Sequence, residues 1–545
     1  MATFTITNPA LAGVITASTG TVTNFSGGSL AELQDLVGDT FVGGTAGDVF
    51  VTGSGNDTIA GQGGNDSILG GSGADVLAGD EGNDVFFFNA STDISSAGEQ
   101  ILGGSGVDSI RVQVASSVDF SLYNTLINSI ERVELGVGGQ PSRAIFNASA
   151  VGGGLASNLV VHAITSLSDL SFRMKDVSFL NLSGLTFSGG TVDVETLGDD
   201  DAEVIFGSIG NDIIRTAGGA DRLWSSYGPD GFLDLLTGGA GNDTYFVYDT
   251  GDVVTETDAD PLVGGIDLVY SSASFTLGAN VEHLTLFGGN GGLSAAIGNG
   301  LDNALNAMQY TGGSGITFTA NDGNDTVFGS YYADNISGGN GNDTLWGSWG
   351  ADGRTDGMAG GNGADTYFVQ EASDTVTETN TSTAASELDT VYSAINMTLG
   401  ANIENLFIYG TATLAIGNGL NNAVIGSYSG LQLSLNGMGG NDYIVGGAGN
   451  DTIDGNAGVD FLHGSGGADR FVFVAGEADG DVINDFDGAG AGALDNLRFL
   501  GYGEDVTFTQ ISSTQWFLLW GGGEFSETIT FNNAASIHAS DYVFV

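Results

Sequence analysis

Along much of this 545-residue chain the apolar positions recur neither every three or four residues nor in alternation, but once in nine. The clearest run is GGTAGDVFV, TGSGNDTIA, GQGGNDSIL, GGSGADVLA and GDEGNDVFF, which covers Gly43 to Phe87 without a slip of register. Its eighth position is Phe50, Ile59, Ile68, Leu77 and Phe86. Each nonapeptide reads as a six-residue turn followed by a three-residue strand. The turn is rich in glycine because its backbone must visit positive φ, which a residue with a Cβ adopts only at a cost. Side chains alternate along a strand, so of the three strand residues only the middle one points inward. Stacked strands of this kind bury one continuous apolar column that no single repeat could bury alone.

Packing does not account for the sixth position, which is Asp48, Asp57, Asp66, Asp75 and Asp84 in this run. The register returns in three further blocks, through Asp212, Asp221, Asp234 and Asp243; through Asp325, Asp334, Asp343, Asp356 and Asp365; and through Asp442, Asp451, Asp460 and Asp469. An isolated copy, GGSGVDSIR, carries Asp108, which brings the set to nineteen. The residue two places on is apolar in every case, including Tyr245, Met358 and Tyr367. With two nonapeptides per turn of the coil, the Asp of one repeat stacks on that of the next but one, so that Asp48 faces Asp66 and Asp57 faces Asp75. Two carboxylates ~5 Å apart repel by roughly 3 kcal/mol at an effective dielectric near 20. A row of such pairs calls for a cation between them. Carboxylates and turn carbonyls are hard oxygen ligands that select Ca²⁺, and the softer ligands His and Cys are absent from the turn slots.

These nonapeptides resemble the repeat G-G-x-G-x-D-x-U-x of the RTX (repeats-in-toxin) proteins, and GGSGADVLA from Gly70 to Ala78 matches it at every fixed position. The resemblance implies parallel β-rolls that bind several Ca²⁺ ions through the nineteen aspartates and fold on binding calcium after export. Ala46, Phe232, Tyr332 and Arg354 stand where the repeat has glycine, and their turns are expected to be metal-free or distorted.

The expected fold is all-β: parallel β-roll blocks alternating with parallel β-solenoid-like segments in an elongated, multi-module chain. Residues 1–42, with Thr alternating with apolar residues and a short helix predicted from Ser29, form an N-terminal cap or assembly arm. Residues 43–111 are the first calcium block. Residues 112–198 lose the Asp register but keep rung-like segments such as SIERVELGV, RAIFNASAV, NLVVHAI and SFLNLSGLTFSGG. From Gly207 the chain duplicates itself: the segment from Trp224 to Val247 aligns with that from Trp346 to Val369 at an offset of 122 residues. TLGANVEHL from Thr276 and TLGANIENL from Thr398 follow at the same offset, and AIGNGL follows each. Two modules result, residues 199–328 and 329–436, each a calcium block followed by a β segment. Residues 437–473 form a fourth block. Residues 474–545 form a β-rich cap in which Trp516 and Trp520 are expected to pack into a core.

Charge narrows the partners. Acidic residues number 66 against 10 basic ones, for a net charge of −56. Phosphate binding needs the opposite sign, so nucleic acid is excluded as a partner. Without divalent ions, self-repulsion should keep such a chain loose. It does not read as disordered, since 41% of its residues are apolar and its 93 glycines follow the period of the turns. There is no cysteine, so calcium takes the place of disulfides as the staple. No run of eighteen apolar residues is present, and no transmembrane segment is expected. The start of the chain lacks a basic n-region, the first basic residue being Arg111. The end, from His538 to Val545, resembles the tails of type I secretion substrates. Export by that machinery from a Gram-negative cell is the resulting expectation.

Catalytic signatures are missing from the sequence. None of His162, His283, His463 and His538 lies in H-E-x-x-H, and no serine lies in G-x-S-x-G. His463 is expected to be an exposed strand-end side chain. The carboxylates belong to the repeat, and no separate pair stands out as the acid and nucleophile of a glycosidase. The sequence therefore reads as a non-enzymatic, secreted structural protein that polymerises with Ca²⁺ into a surface layer or filament. An adhesin or biofilm-matrix protein is the alternative, with a cell-surface polysaccharide as candidate partner and the aromatic loops SSYGPDG and GSWGADG as candidate platforms. A secreted hydrolase ranks third.

Overall fold

A computed structural model describes residues 2–5, 20–23 and 38–545, apart from 95–96, 114–116, 137–140, 164–167, 176, 190–191, 258–262, 289–292, 382–386, 427–429, 489–493 and 534–535. The helix predicted from Ser29 lies outside the described residues. The chain divides into two compact units, residues 1–273 with 278–281, and residues 274–277 with 282–545.

In the first unit the nonapeptides wind as predicted. Strands Thr40–Val42, Thr58–Ala60, Val76–Glu81, Gln100–Ser105 and Leu126–Asn128 stack in parallel on one face. Strands Val49–Val51, Ser67–Leu69, Val85–Phe88 and Ser109–Val112 stack on the other. Phe41 pairs with Ile59 and Ile59 with Leu77, while Phe50 pairs with Ile68 and Ile68 with Phe86. Neighbours in each sheet are thus two repeats apart, because each coil spends one repeat on each face. The alternation is strict: Ile59, Ile68, Leu77 and Phe86 are fully buried while their flanking strand residues reach the surface. All nineteen residues two places beyond the aspartates are buried in the same way. The strands at 2–5 and 20–23 continue the first face, with Phe4 opposite Val22 and Val22 opposite Phe41.

From Ser117 the coil widens and gains a third parallel face, formed by Ser117–Asp119, Arg143–Asn147, Ser168–Arg173 and Val192–Leu197. The rungs read from the sequence are strands here, including Ile130–Leu135 and Leu155–Ala163. A wider coil needs bulkier filling, and Phe88, Phe120, Phe146 and Phe172 supply it as a buried column with centroid spacings of 4.8, 4.8 and 6.3 Å. Beyond this segment the two-faced coil resumes in the strands Val204–Phe206, Asp212–Arg215, Arg222–Trp224, Leu235–Thr237 and Thr244–Val247.

The second unit repeats the two-faced plan. Thr317–Asp322, Asn335–Asn340 and Gly357–Asn362 stack on one face, and Thr326–Phe328, Thr344–Trp346 and Thr366–Val369 on the other. The duplication recorded in the sequence reappears as two matched ladders of stacked rings on outward positions. Phe206, Trp224, Phe246 and Tyr270 stack at 4.2, 4.2 and 5.1 Å in the first unit. Phe328, Trp346, Phe368, Tyr392 and Phe407 stack at 4.5, 4.2, 5.2 and 5.0 Å in the second. In-register parallel pairing places like beside like, and each pair adds about 0.5–1.5 kcal/mol beyond its area.

The coil of the second unit ends in an antiparallel sheet of Thr507–Gln510, Gln515–Trp520 and Phe525–Phe531, whose last strand also pairs in parallel with Val482–Ile483. Trp516 and Trp520 both lie on the central strand and are half-buried, against Phe508 and Tyr502 respectively. The terminal strand Tyr542–Phe544 pairs in parallel with Asn496–Leu500. His463 is half-buried rather than exposed, with Nδ1 2.9 Å from Asn484 Nδ2 and Nε2 3.3 Å from Asp485. No helix among the described residues is long and apolar enough to cross a membrane.

Because each inward residue is a rung of a single column, Leu77→Ala should lower the stability of the calcium-loaded protein by about 2–5 kcal/mol. The exposed neighbour change Thr58→Ala should stay within about 0.5 kcal/mol. Denaturant unfolding of both variants in saturating Ca²⁺ checks this.

Candidate metal centre: the aspartate ladder

The sixth-slot aspartates sit where turn becomes strand, and all nineteen are buried. Each is held by its backbone first. The Asp48 carbonyl accepts from Ser67 N–H at 2.8 Å, as an ordinary ladder bond. The Asp48 N–H has no carbonyl opposite it, because the turn above has left the sheet. It donates instead to Asp66 Oδ1 at 2.6 Å, and Asp66 N–H donates to Asp84 Oδ1 at 2.7 Å. Asp39 to Asp57 and Asp57 to Asp75 repeat the bond at 2.7 Å. The pairing of each repeat with the next but one is therefore direct, through one carboxylate oxygen and one amide. A hydrogen bond to a charged group is worth about 1.5–3 kcal/mol.

The same bond orders the other blocks. In the first unit Asp212 and Asp221 donate to Asp234 and Asp243, each at 2.8 Å. In the second, Asp325 donates to Asp343, Asp343 to Asp365 and Asp334 to Asp356, all at 2.8 Å. Asp442 to Asp460 and Asp451 to Asp469 follow at 2.8 Å.

The second oxygen distinguishes the sites. In Asp66, Asp75, Asp84, Asp108, Asp243, Asp325, Asp343, Asp365, Asp442 and Asp460, Oδ2 is buried and accepts no hydrogen bond. In all ten, the residue four places earlier has positive φ, which turns its N–H away from the carboxylate. Five of these are glycines, but Gln62 (φ 72°), Asp80 (68°), Asn321 (85°), Met438 (77°) and Asn456 (61°) are not. Holding such residues left-handed costs on the order of 1–3 kcal/mol each. Asp221 and Asp234 also keep an unpartnered Oδ2, although Ala217 and Asp230 do not take positive φ. In four other turns the corresponding residue is not at positive φ and fills the oxygen itself. Gly44 N–H donates to Asp48 Oδ2 at 3.0 Å and Gly447 N–H to Asp451 Oδ2 at 2.7 Å. Ser208 and Ser330 supply both N–H and hydroxyl to Asp212 and Asp334.

The slot singled out by the sequence, two places before the Asp, matters less. Ala46, Phe232, Tyr332 and Arg354 do not take the positive φ seen at Gly55, Gly64 or Gly82, so these turns differ in backbone as expected. Gly82 shows why glycine is needed elsewhere: at φ 134° an added Cβ would lie 1.5 Å from Gly64 O. Yet Asp234, two residues after Phe232, also keeps an unpartnered Oδ2, whereas Asp212, preceded by Gly210, does not.

The ladder also runs beyond the nonapeptides. Asp75 N–H donates to Glu99 Oε2 at 2.8 Å and Asp108 N–H to Glu131 Oε2 at 2.8 Å. Asp243 continues to Asp267, Asp365 to Asp389, Asp389 to Glu404, Asp460 to Asp481 and Asp469 to Asp495. Asn303 and Asn422 replace the carboxylate with an amide at the head of their columns. Sequence reasoning tied to glycine spacing missed these residues. The signal available was the acid or amide two places before an apolar residue, as in Asp39 and Phe41, Glu99 and Ile101, or Asp389 and Val391, where each apolar side chain is buried.

Burial governs the electrostatics. Desolvation, reinforced by neighbouring carboxylates, raises Asp66 and Asp75 to about 7, Glu99 to about 8 and Asp343 to about 8. A buried carboxylate with one orphaned oxygen requires either a proton or a cation. The surrounding donors are all oxygen, and glycine at the first slot leaves open space: a Cβ on Gly61 would lie 2.1 Å from Asp66 Oδ2. This donor set fits Ca²⁺, which supplies the missing positive charge when bound.

The fold and these sites together define a parallel β-roll of the calcium-binding kind. A family model of the RTX calcium-binding nonapeptide repeat, in four copies, matches residues 38–68, 51–86, 60–94, 197–230, 231–252, 319–353 and 436–471. The chain carries RTX calcium-binding repeats over these segments, and they imply multiple Ca²⁺ ions. No curated protein matches it.

Two outcomes follow. The raised carboxylates bind protons in the folded coil that the unfolded chain has already released above its ordinary carboxylate range. In calcium-free protein, stability should therefore fall as pH rises from about 4 to about 8, and saturating Ca²⁺ should abolish the fall; thermal melts across this range test it. Asp66→Ala should cost more calcium-dependent stability than Asp48→Ala, whose second oxygen already has an amide donor. Loss of one site filled at a hundredfold its Kd is worth about 2.7 kcal/mol, readable as the difference in unfolding with and without Ca²⁺.

Proposed function

We propose that this is a secreted structural protein whose folding and self-assembly into a cell-surface layer or filament depend on calcium, with the nineteen sixth-slot aspartates as ligands. The observation that carries this reading is the ladder of buried, half-satisfied carboxylates, present in both units. Calcium at millimolar levels outside the cell completes it, and a calcium-poor interior leaves the chain loose enough for export by the type I machinery. Coils of this kind are typically structural rather than catalytic. The duplicated modules supply repeated surfaces for contacts between copies, and the low lysine content, Lys175 alone, fits an extracellular layer protein.

A second reading is favoured by one observation: Tyr227 and Trp349, on the matched loops of the two modules, are 79% and 62% exposed. Exposed rings suit stacking on pyranose faces, as an adhesin or matrix protein binding cell-surface polysaccharide would require.

Negative-stain electron microscopy of the purified full chain separates the two. Regular sheets or filaments in millimolar Ca²⁺ that disappear on chelation are the expected result. Persistent monomers in Ca²⁺, together with glycan binding lost on Trp349→Ala, would support the adhesin.

A further inference from the structure

Tyr245 and Tyr367 occupy inward slots that the other repeats fill with Ile, Leu, Phe, Val or Met, and both are fully buried. A buried phenol needs a polar partner. Gly238 N–H reaches Tyr245 Oη at 2.7 Å, and Gly360 N–H reaches Tyr367 Oη at 2.8 Å. The same glycines also meet an acidic side chain from just past the next strand. Glu256 takes Gly238 N–H at 3.2 Å and Gly239 N–H at 3.0 Å; Glu378 takes Gly360 N–H at 3.2 Å and Gly361 N–H at 3.3 Å.

These glutamates bring a third carboxylate to a ladder pair. One oxygen from each of Asp243, Glu256 and Asp267 lies within 4.8 Å of the others, and Asp365, Glu378 and Asp389 reproduce the cluster in the second unit. All six residues are buried. Independently of the clustering, Oδ2 of Asp243 and of Asp365 is buried with no hydrogen-bond partner. Each points into a space that only glycine leaves open. A Cβ on Gly238 would lie 2.1 Å from Asp243 Oδ2 and 2.3 Å from Tyr245 Oη, and one on Gly360 would lie 2.1 and 2.2 Å from the matching atoms.

We propose that Asp243–Glu256–Asp267 and Asp365–Glu378–Asp389 are two equivalent Ca²⁺ sites, one in each unit, in which the last sixth-slot aspartate of a block is joined by a glutamate and an aspartate from beyond the nonapeptides. Glu256 and Asp267, and all three residues of the second cluster, lie outside the segments matched by the repeat family. Three carboxylates with no nitrogen or sulfur donor select a hard cation, and three anionic groups converging on one ion suit Ca²⁺ better than the water-retaining Mg²⁺. Three charges against a turn site's two make these the tightest sites, filled first. Filling them ties the chain after each repeat block, Val253–Val254 in the first unit and Thr375–Thr377 in the second, to the turn above it.

The test uses the full chain carrying Glu256→Gln and Glu378→Gln, which keep shape and lose charge. Calorimetric titration with Ca²⁺ should show two fewer equivalents in the tightest binding class, with the far-ultraviolet dichroism at saturating Ca²⁺ unchanged. An undiminished tight class in folded variant overturns the proposal. Should the variant fail to fold, wild-type crystals grown with Ca²⁺ decide through anomalous difference density: a peak among the three carboxylates supports the site, and its absence overturns it. Neither readout involves assembly, so the outcome is independent of whether the chain forms layers.

Discussion

Every block of this molecule depends on one bond, from the backbone N–H of an aspartate to the carboxylate of the aspartate one coil further on. It closes the gap in the ladder where the turn leaves the sheet, and so sets the register of the strand that follows. The same bond creates the difficulty the rest of the structure resolves. It uses one oxygen of a buried carboxylate and leaves the other facing the next turn. A column of such groups, each beside another at the spacing of neighbouring strands, is unfavourable until positive charge enters it. Folding and calcium binding are in this sense a single equilibrium, since the unfolded chain has no preformed site.

Backbone conformation accompanies ten of the open carboxylates. Residues as unsuited to positive φ as Gln62 and Met438 are held there, while Ser208 and Ser330 remain at negative φ and use hydroxyl and amide to satisfy Asp212 and Asp334. Strain at the first group marks turns kept open for an ion. At the second group a turn amide and hydroxyl already occupy the carboxylate, and an ion there would compete with them.

Much of this was legible in the sequence. The nine-residue period gave the parallel coil, the inward column and the stacking of Asp48 on Asp66, because side-chain alternation and two repeats per turn leave no other arrangement. The rungs between 112 and 198 were readable as strands, but their third face was not, since nothing local in SIERVELGV or NLVVHAI records how wide a coil they close. The acidic ladder beyond the repeats went unread because Glu99, Asp267 and Asp389 lack the glycine turn that made the others conspicuous. Which carboxylates stay open was also hidden: residue type does not fix φ at the slot four places before the Asp, where Gly71 and Ser465 are at positive φ but Gly44 and Ser208 are not. Duplication helps here, because Tyr245 with Glu256 and Tyr367 with Glu378 repeat one arrangement that a single copy would leave looking accidental.

The most direct measurement of the central claim is amide hydrogen exchange at the ladder aspartates, at pH 8, with and without calcium. The N–H groups of Asp48, Asp57 and Asp66 should be strongly protected in Ca²⁺, and should lose that protection together with the strands that follow when calcium is removed. Equal protection in both conditions would show that the carboxylate ladder holds without a cation, and would contradict the account.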